Sequence, residues 1–473
     1  MDWDNRRSAV VKVAQELQNR GYEIVYWVVP YKDEIANNKL QFTKTQFHWH
    51  DGAINFMPPA EINEADFAPP GEDLIENLYE IESTLATMKK FYGLSGSMLA
   101  KKHLFHRLIQ YWHGVIKKFR PDIIFFGVCP HSVYDYTVYS LAKFLKIKTI
   151  MFEYTGITDR YLLNSDFKEG GVALREEYLK NQGQKFKLED LSQDLQKFYR
   201  WHLDHTAGEI QPELKQALKN TAGLNKLHLK LKALIKSFYD LSFFKKLAGY
   251  IAKEIGPNMK KEYQALQETA DFDKKYIYSP LGYQPECSSS PLGGVFADQI
   301  LMIKILSYCL PEDWLIYVKE HPIQWAISSL AYFDFRYKGY YREIAKIKNV
   351  KIIPIETNSH RLIANSRAVA TVCGTAGLEA LWRFKPVLVF GAISYRFCPG
   401  VFKVKNATAC REAIEKIVSG FKVGPQQIIN YLVSLDRVSH HLLFENLLIK
   451  YSKITEEEMS KNFINAIMAE AEK

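Results

Sequence analysis

Two short clusters in this sequence carry residue types suited to holding an anion. The first is Gly374-Thr375-Ala376-Gly377, inside TVCGTAGLEALWRFKPVLVFG (371–391), which reads as strand, small-residue turn, amphipathic helix and second buried strand. Small side chains leave the backbone approachable, and the exposed N–H groups of a helix start favour negative charge. The second is Lys319-Glu320-His321-Pro322, where the apolar run from Leu315 to Lys319 ends. It sets a cation and an imidazole at the carboxyl end of a strand, the edge at which open α/β sheets bind ligands. Each cluster alone has an ordinary explanation. Such a turn is often only tight packing, and a His-Pro often just stops a strand because proline cannot continue the ladder. Together, in this order, they predict a phosphate or nucleotide site built from Lys319, His321, Pro322, Gly374, Thr375, Ala376 and Gly377.

The elements that must position these residues are read from length and pattern. A chain of 473 residues exceeds what one core usually serves, so two domains with a cleft between them are expected. The 47% hydrophobic content is ample for two cores, which argues against disorder. Six scattered cysteines show neither Cys-x-x-Cys nor zinc spacing and suit reduced thiols in a cytoplasmic protein. No apolar run approaches the roughly 18 to 20 residues that span a bilayer, and MDWDNRRSAV lacks the order of a signal peptide.

Along the chain, helix 5–20 leads into the strand YEIVYWVV (22–29). DIIFFGV (122–128) and KTIMFE (148–153) are further buried-strand runs, with helices over 72–92, 101–120 and 133–145 between them. This βα repetition predicts a Rossmann-like domain over 1–169. The chain opens on what looks like that domain's first helix, so the usual first strand is expected to be missing, by late start assignment or true absence. Residues 170–272 read as a polar helical insertion, too long for a loop. Between Lys215 and Lys261 it holds eleven lysines against Asp240 and Glu254. Such a cationic amphipathic face either lies on an anionic membrane or is a solvated helix surface. Nucleic acid is a poorer partner, since no recognised motif accompanies the charge. A second βα series fills 273–431 through YIYSPL, LIYVK, NVKII, AVATVC and VLVFG, and helices over 432–450 and 456–472 are expected to pack back on the first domain. The fold class is therefore α/β, two Rossmann-like domains facing a cleft. GT-B has this architecture, and other two-domain α/β folds fit it as well.

Tyr283-Gln284-Pro285-Glu286, Ser288 to Pro291, Gly293, Phe296, Asp298-Gln299, the Lys319-Glu320-His321-Pro322 cluster, Gly374 to Ala380 and Lys385-Pro386 resemble the capsule and surface polysaccharide biosynthesis family. That family includes GT-B transferases using CMP-activated 3-deoxy-manno-octulosonic acid (Kdo), and its His-Pro element recurs in bacterial sialyltransferases. The resemblance covers about 276–401, and the N-terminal half is similar mainly in pattern. It implies a donor leaving as CMP, for which His321, Lys319 and the N–H groups near Thr375 are suitable partners. Glu379 would accept from ribose hydroxyls, or equally complement the helix dipole. Glu153, at the end of a buried strand, is expected as general base or acid from the acceptor domain. By analogy with retaining Kdo transferases, Glu286 would be the nucleophile, with Asp298 in reserve or simply capping a helix.

Asp271-Phe272-Asp273 matches a metal-binding Asp-x-Asp but precedes its strand, and on an extended segment Asp51 would point away from His48 and His50, so no metal and no cofactor is expected beyond the CMP-sugar substrate. The sequence thus predicts a cytoplasmic glycosyltransferase. Its partners would be a nucleotide-sugar donor, a glycan or lipid-linked glycan acceptor and, peripherally, an anionic membrane. A CDP-linked polyol-phosphate transferase, a nucleotide-sugar epimerase and a non-catalytic scaffold of a polysaccharide assembly complex are its rivals.

Overall fold

The structure is a computed structural model that describes residues 4–88, 97–204, 258–322, 324, 335–442 and 454–472. It divides into two compact units, Met1–Val172 with Ser439–Lys473, and Ala173–Val438. Among the described residues no helix is long and apolar enough to cross a membrane.

In the first unit the short apolar runs make two small sheets. Strand β1 (Tyr26–Val29) pairs in parallel with β2 (Gln46–Trp49). Strands β3 (Ile123–Phe126) and β4 (Lys148–Tyr154) are parallel, joined by the helix Val133–Phe144, whose Ser132 and Asp135 form a reciprocal capping box. Strand β5 (Arg160–Asn164) returns antiparallel to β4, and His440–His441 adds to its far side. The β4–β5 connection, residues 155–159, is far too short for a crossover, so a hairpin is the available route. Thr155 closes it by accepting from the Ile157 N–H (3.2 Å) and donating to the Arg160 carbonyl (2.9 Å). The helices Asp4–Asn19 and Glu456–Ala471 belong to one core, in which Val13, Phe152, Phe463 and Ile467 are buried together.

Two helices differ from their sequence-based bounds. The stretch over 72–92 is broken at Leu78 into Glu72–Asn77 and Tyr79–Leu85, and its residues 89–92 lie outside the described ones. Where a helix is expected over 432–450, one starts earlier and runs Pro425–Val438, because Pro425 suits a first helical position and Ile428, Tyr431, Leu432 and Leu435 form its buried face, while residues 443–450 lie outside the described ones. Asn430 donates to the Asn181 and Gln184 carbonyls (3.0 and 2.8 Å), tying this helix to Val172–Asn181. Of the expected insertion over 170–272, Val172–Asn181, Gln193–Asp204 and Met259–Leu266 are helical, and its lysine-rich centre, 205–257, lies outside the described residues.

The second unit is built on β6 (Lys275–Pro280), β7 (Trp314–Lys319), β8 (Val350–Ile352), β9 (Ala368–Thr371), β10 (Val387–Val389) and β11 (Val401–Lys403). All pairings are parallel, in the order β11-β10-β9-β6-β7-β8. Both faces are covered, which is why these strands read as continuous apolar runs. On β6, Ile277 enters the aliphatic core with Ile303, Ile316 and Ala368, while Tyr276 on the other face stacks on Tyr317 at 4.2 Å between centroids. Counting outward from β6, the chain runs to β7 and β8 on one side, then to β9, β10 and β11 on the other. The direction reverses between β6 and β9, and in open parallel sheets ligands bind outside the carboxyl ends of strands at such a switch point.

Candidate functional site

Strand β7 delivers Lys319, Glu320 and His321 to that edge, each in a different environment. The Glu320 carboxylate is 1% exposed and receives Arg336 Nε at 2.6 Å, Arg336 Nη2 at 3.1 Å, the Tyr341 hydroxyl at 2.5 Å and the His321 backbone N–H at 2.7 Å. A buried carboxylate tolerates such a site only because every donor is present. Arg336, also 1% exposed, spends its remaining N–H groups on Gln284 Oε1 (2.5 Å) and the Gly282 and Phe335 carbonyls, and its guanidinium lies 4.6 Å from the Tyr340 ring. The pair therefore staples the end of β7 to the loop that follows β6. Gln284 and Gln324 reinforce the joint with two reciprocal hydrogen bonds of 2.9 and 2.8 Å.

His321 stands on this base, half-buried, with its ring 5.7 Å from that of Tyr283. Burial lowers its pKa, Arg336 and Lys319 push the same way, and Glu320 and Glu286 oppose them. Near neutral pH the imidazole is uncharged and acts as a hydrogen-bond donor rather than a cation. Lys319 differs from its expected part. It is 5% exposed, and its ammonium donates to the carbonyls of Thr357 (2.7 Å) and Ile355 (3.3 Å), so it clamps the loop after β8. Pro322 is exposed beside His321.

The loop after β6 carries Glu286 on its exposed side, where the carboxylate accepts from the Ser288 hydroxyl at 2.7 Å and lies close enough to His321 to act on its charge. Asp298 has the structural role: it caps the helix Gln299–Cys309, accepting from the N–H groups of Ile300 (3.0 Å) and Leu301 (3.3 Å).

After β9 comes the turn into the helix Thr375–Leu381. Gly374 donates to Thr371 Oγ1 (2.9 Å), and its carbonyl accepts from the Tyr395 hydroxyl (2.6 Å). A Cβ at Gly377 would overlap that same hydroxyl and press on Val387. The glycine is thus required by an internal neighbour, where the sequence suggested room for a ligand. Thr375 and Ala376 remain at the surface of the turn. Further along the helix, Glu379 has its pKa raised by burial, opposed by Arg383 and Lys319.

In the first unit, Glu153 is the penultimate residue of β4, paired with Leu162. It is 4% exposed, and Asn164 Nδ2 donates to its Oε2 at 2.7 Å. The residues set aside as metal ligands have other partners: His48 bonds the Tyr26 hydroxyl and the Met57 carbonyl, His50 opens a helix and meets the Tyr134 hydroxyl, and Asp271 accepts from the Asp273 N–H. Sequence reasoning overlooked Arg336 and Tyr395, which lie in segments without motif character, and Glu320 was quoted there without a role.

Residues 290–417 match the family model described as capsule polysaccharide biosynthesis protein. That segment carries the capsule polysaccharide biosynthesis pattern and contains Asp298, Lys319, His321 and the 374–379 turn, while Glu286 and Glu153 fall outside it. Solved structures similar to the chain include Thermosulfurimonas dismutans KpsC, beta Kdo 2,7 transferase, at 12% identity over 84% of this chain and 97% of that one, TM-score 0.33. The beta Kdo 2,4 transferase of the same KpsC gives 12%, 66%, 86% and 0.29, and UDP-GlcNAc 2-epimerase from Methanocaldococcus jannaschii 13%, 88%, 97% and 0.26. Comparison with curated proteins gave no match.

Proposed function

We propose that the protein is a glycosyltransferase of capsule or surface polysaccharide synthesis that moves an acidic, Kdo-like sugar from a CMP-activated donor to a glycan or glycolipid acceptor. One observation carries this: the family-matched segment brings His321, on its buried Glu320–Arg336 base, and the 374–379 turn to the carboxyl edge beside the β6/β9 switch point. The sugar class follows the motif resemblance. Donor cleavage breaks the bond between the anomeric carbon and the phosphate oxygen, which keeps the electron pair. A neutral His321 donates a hydrogen bond to that developing charge, where a fixed donor in a partly desolvated place is most effective. Glu286 attacks the anomeric carbon to give a glycosyl ester, and the acceptor hydroxyl then displaces it, giving up its proton to a base, the part the sequence suggests for Glu153. Glu379 takes the ribose.

The test is CMP release from a panel of CMP-sugars, with and without acceptor. Release with CMP-Kdo or a related acidic donor supports the assignment. No release with any donor, together with no calorimetric binding of CMP at millimolar concentration by folded protein, overturns it. Recruitment to a membrane-borne acceptor by the lysines between 215 and 261 is tested by sedimentation with anionic liposomes, where binding no stronger than that of a lysine-neutralised variant removes that step.

A further inference from the structure

The neighbourhood of Glu379 contains an arrangement that the donor site alone does not explain. His360, on the helix Ser359–Asn365, has its Nδ1 3.1 Å from Arg383 Nη2 and 3.5 Å from Glu379 Oε2. Arg383 also donates from Nη1 to the Glu379 carbonyl at 2.9 Å. The His360 and Glu379 side chains are 28% and 31% exposed, so the group is partly buried yet reachable from solvent. One ring nitrogen thus stands between a group that can only donate and one that, ionised, can only accept. It cannot satisfy both.

We propose that His360 is a positioning residue for Glu379: while neutral it accepts Arg383 Nη2 at Nδ1 and so keeps that guanidinium from closing on the carboxylate, which stays ready for the ribose hydroxyls of a nucleotide donor. This rests on the donor-site assignment above. With Arg383 donating to Nδ1, the His360 proton resides on Nε2, and Nδ1 gives nothing to Glu379. The carboxylate then keeps acceptor capacity for an outside donor, and a ribose diol supplies two hydroxyls. Protonation reverses this: Nδ1 gains a hydrogen, turns to Glu379, and the new cation faces Arg383. The charged groups around His360 are Arg383 and Glu379 from the Thr375 helix and its following turn, and Lys319 from β7, with Glu356 of the clamped loop acting on Lys319. From β6, Tyr278 meets the adjoining Ser359 hydroxyl at 3.4 Å. Burial first, then Arg383 and Lys319, lowers the His360 pKa, so the neutral arrangement holds at pH 7 and above.

The experiment compares the affinities of CMP and 2′-deoxy-CMP by calorimetry at pH 8 and pH 5.5. Taking their ratio cancels the phosphate and base titrations that both ligands share. In the unaltered protein at pH 8 the ribonucleotide is expected to bind about ten- to hundred-fold tighter, the scale of one hydrogen bond to a charged group. The preference should shrink at pH 5.5. His360→Ala should bring the ratio near one at both pH values. His360→Asn, whose amide oxygen replaces Nδ1 as acceptor from Arg383 but does not titrate, should keep the preference at pH 8 and lose less of it at pH 5.5. An unchanged ratio in His360→Ala, or a loss in His360→Asn equal to that in His360→Ala, overturns the positioning role. Equal binding of both nucleotides by the unaltered protein also overturns it while leaving the donor site intact, and binding of neither overturns the two together.

Discussion

The guanidinium of Arg336 meets the carboxylate of Glu320 at 2.6 Å with no more than 1% of either side chain exposed, directly beneath His321. Such a pair is weak evidence of net stabilisation, because each ion has lost its water, but breaking it is costly since the survivor has no solvent to turn to. Arg336→Met is therefore expected to destabilise the protein by about 3–5 kcal/mol. Adding Glu320→Gln should recover part of that loss. Chemical denaturation of the two single variants and the double checks this, and a double variant less stable than Arg336→Met would show that the pair is not the coupled unit.

Gly377 and Tyr395 make a second interlocking pair. Gly377→Ala forces a methyl against the Tyr395 hydroxyl, and overpacking of this kind costs about 1–3 kcal/mol. Tyr395→Phe alone gives up one hydrogen bond to the Gly374 carbonyl, worth about 1 kcal/mol. Because the phenylalanine also vacates the contested space, the double variant should be more stable than the sum of the singles implies. Additive losses in thermal denaturation would place the clash elsewhere, for instance at Val387.

How much of this was legible beforehand differs from residue to residue. The strands of the second unit were, since a sheet covered on both faces demands unbroken apolar runs, and the edge at which His321 sits followed from them. The directions of side chains were not. Lys319 is the residue type a phosphate needs, yet its ammonium serves the carbonyls of Ile355 and Thr357. Gly377 is the residue type a close ligand needs, yet Tyr395 fills the space. In both cases a distant segment supplies the partner, and no local spacing announces it. Arg336 is the extreme case: sixteen residues past Glu320, in a run of aromatic and charged residues, its importance arises wholly from tertiary burial. The β4–β5 hairpin could have been found from the Thr155-Gly156 turn signal, where Gly156 adopts φ of 77°.

Stability should fall with acid below pH 7. His48, His113, His321, His360 and His440 all have pKa values lowered chiefly by burial. For each, the unfolded chain binds a proton that the folded one resists, so its contribution is full above the unfolded value near 6.5 and is lost as pH drops toward the folded one. Asp135 opposes them: burial raises its pKa to about 6, so the folded state takes up a proton there that the unfolded state does not. Glu379, also raised, acts in the same sense. Among the described residues, five histidines against two carboxyls leave a net loss between pH 7.5 and 5.5. Asp135→Asn removes one opponent and should steepen the fall in melting temperature over that range, and a flatter profile would contradict the balance.

Glu286 separates the sugar transferase from the CDP-linked polyol-phosphate transferase. Its carboxylate is exposed and engaged by the Ser288 hydroxyl, so replacing it with glutamine preserves size and a hydrogen-bonding oxygen while removing the nucleophilic charge. Ser288→Ala, which removes the hydroxyl and leaves the carboxylate, serves as the control for loop disturbance. If an acidic sugar passes through a glycosyl ester on Glu286, then Glu286→Gln should lower transfer by several orders of magnitude with CMP affinity nearly unchanged, because the group acts on the anomeric carbon and not on the nucleotide. In a transferase acting at phosphorus on a CDP-linked polyol phosphate, no covalent bond to carbon forms at this position, and the same variant should keep most of its activity. Rapid quenching followed by intact-mass measurement adds a direct check, since only the first mechanism leaves a sugar on the protein, and only while Glu286 is present.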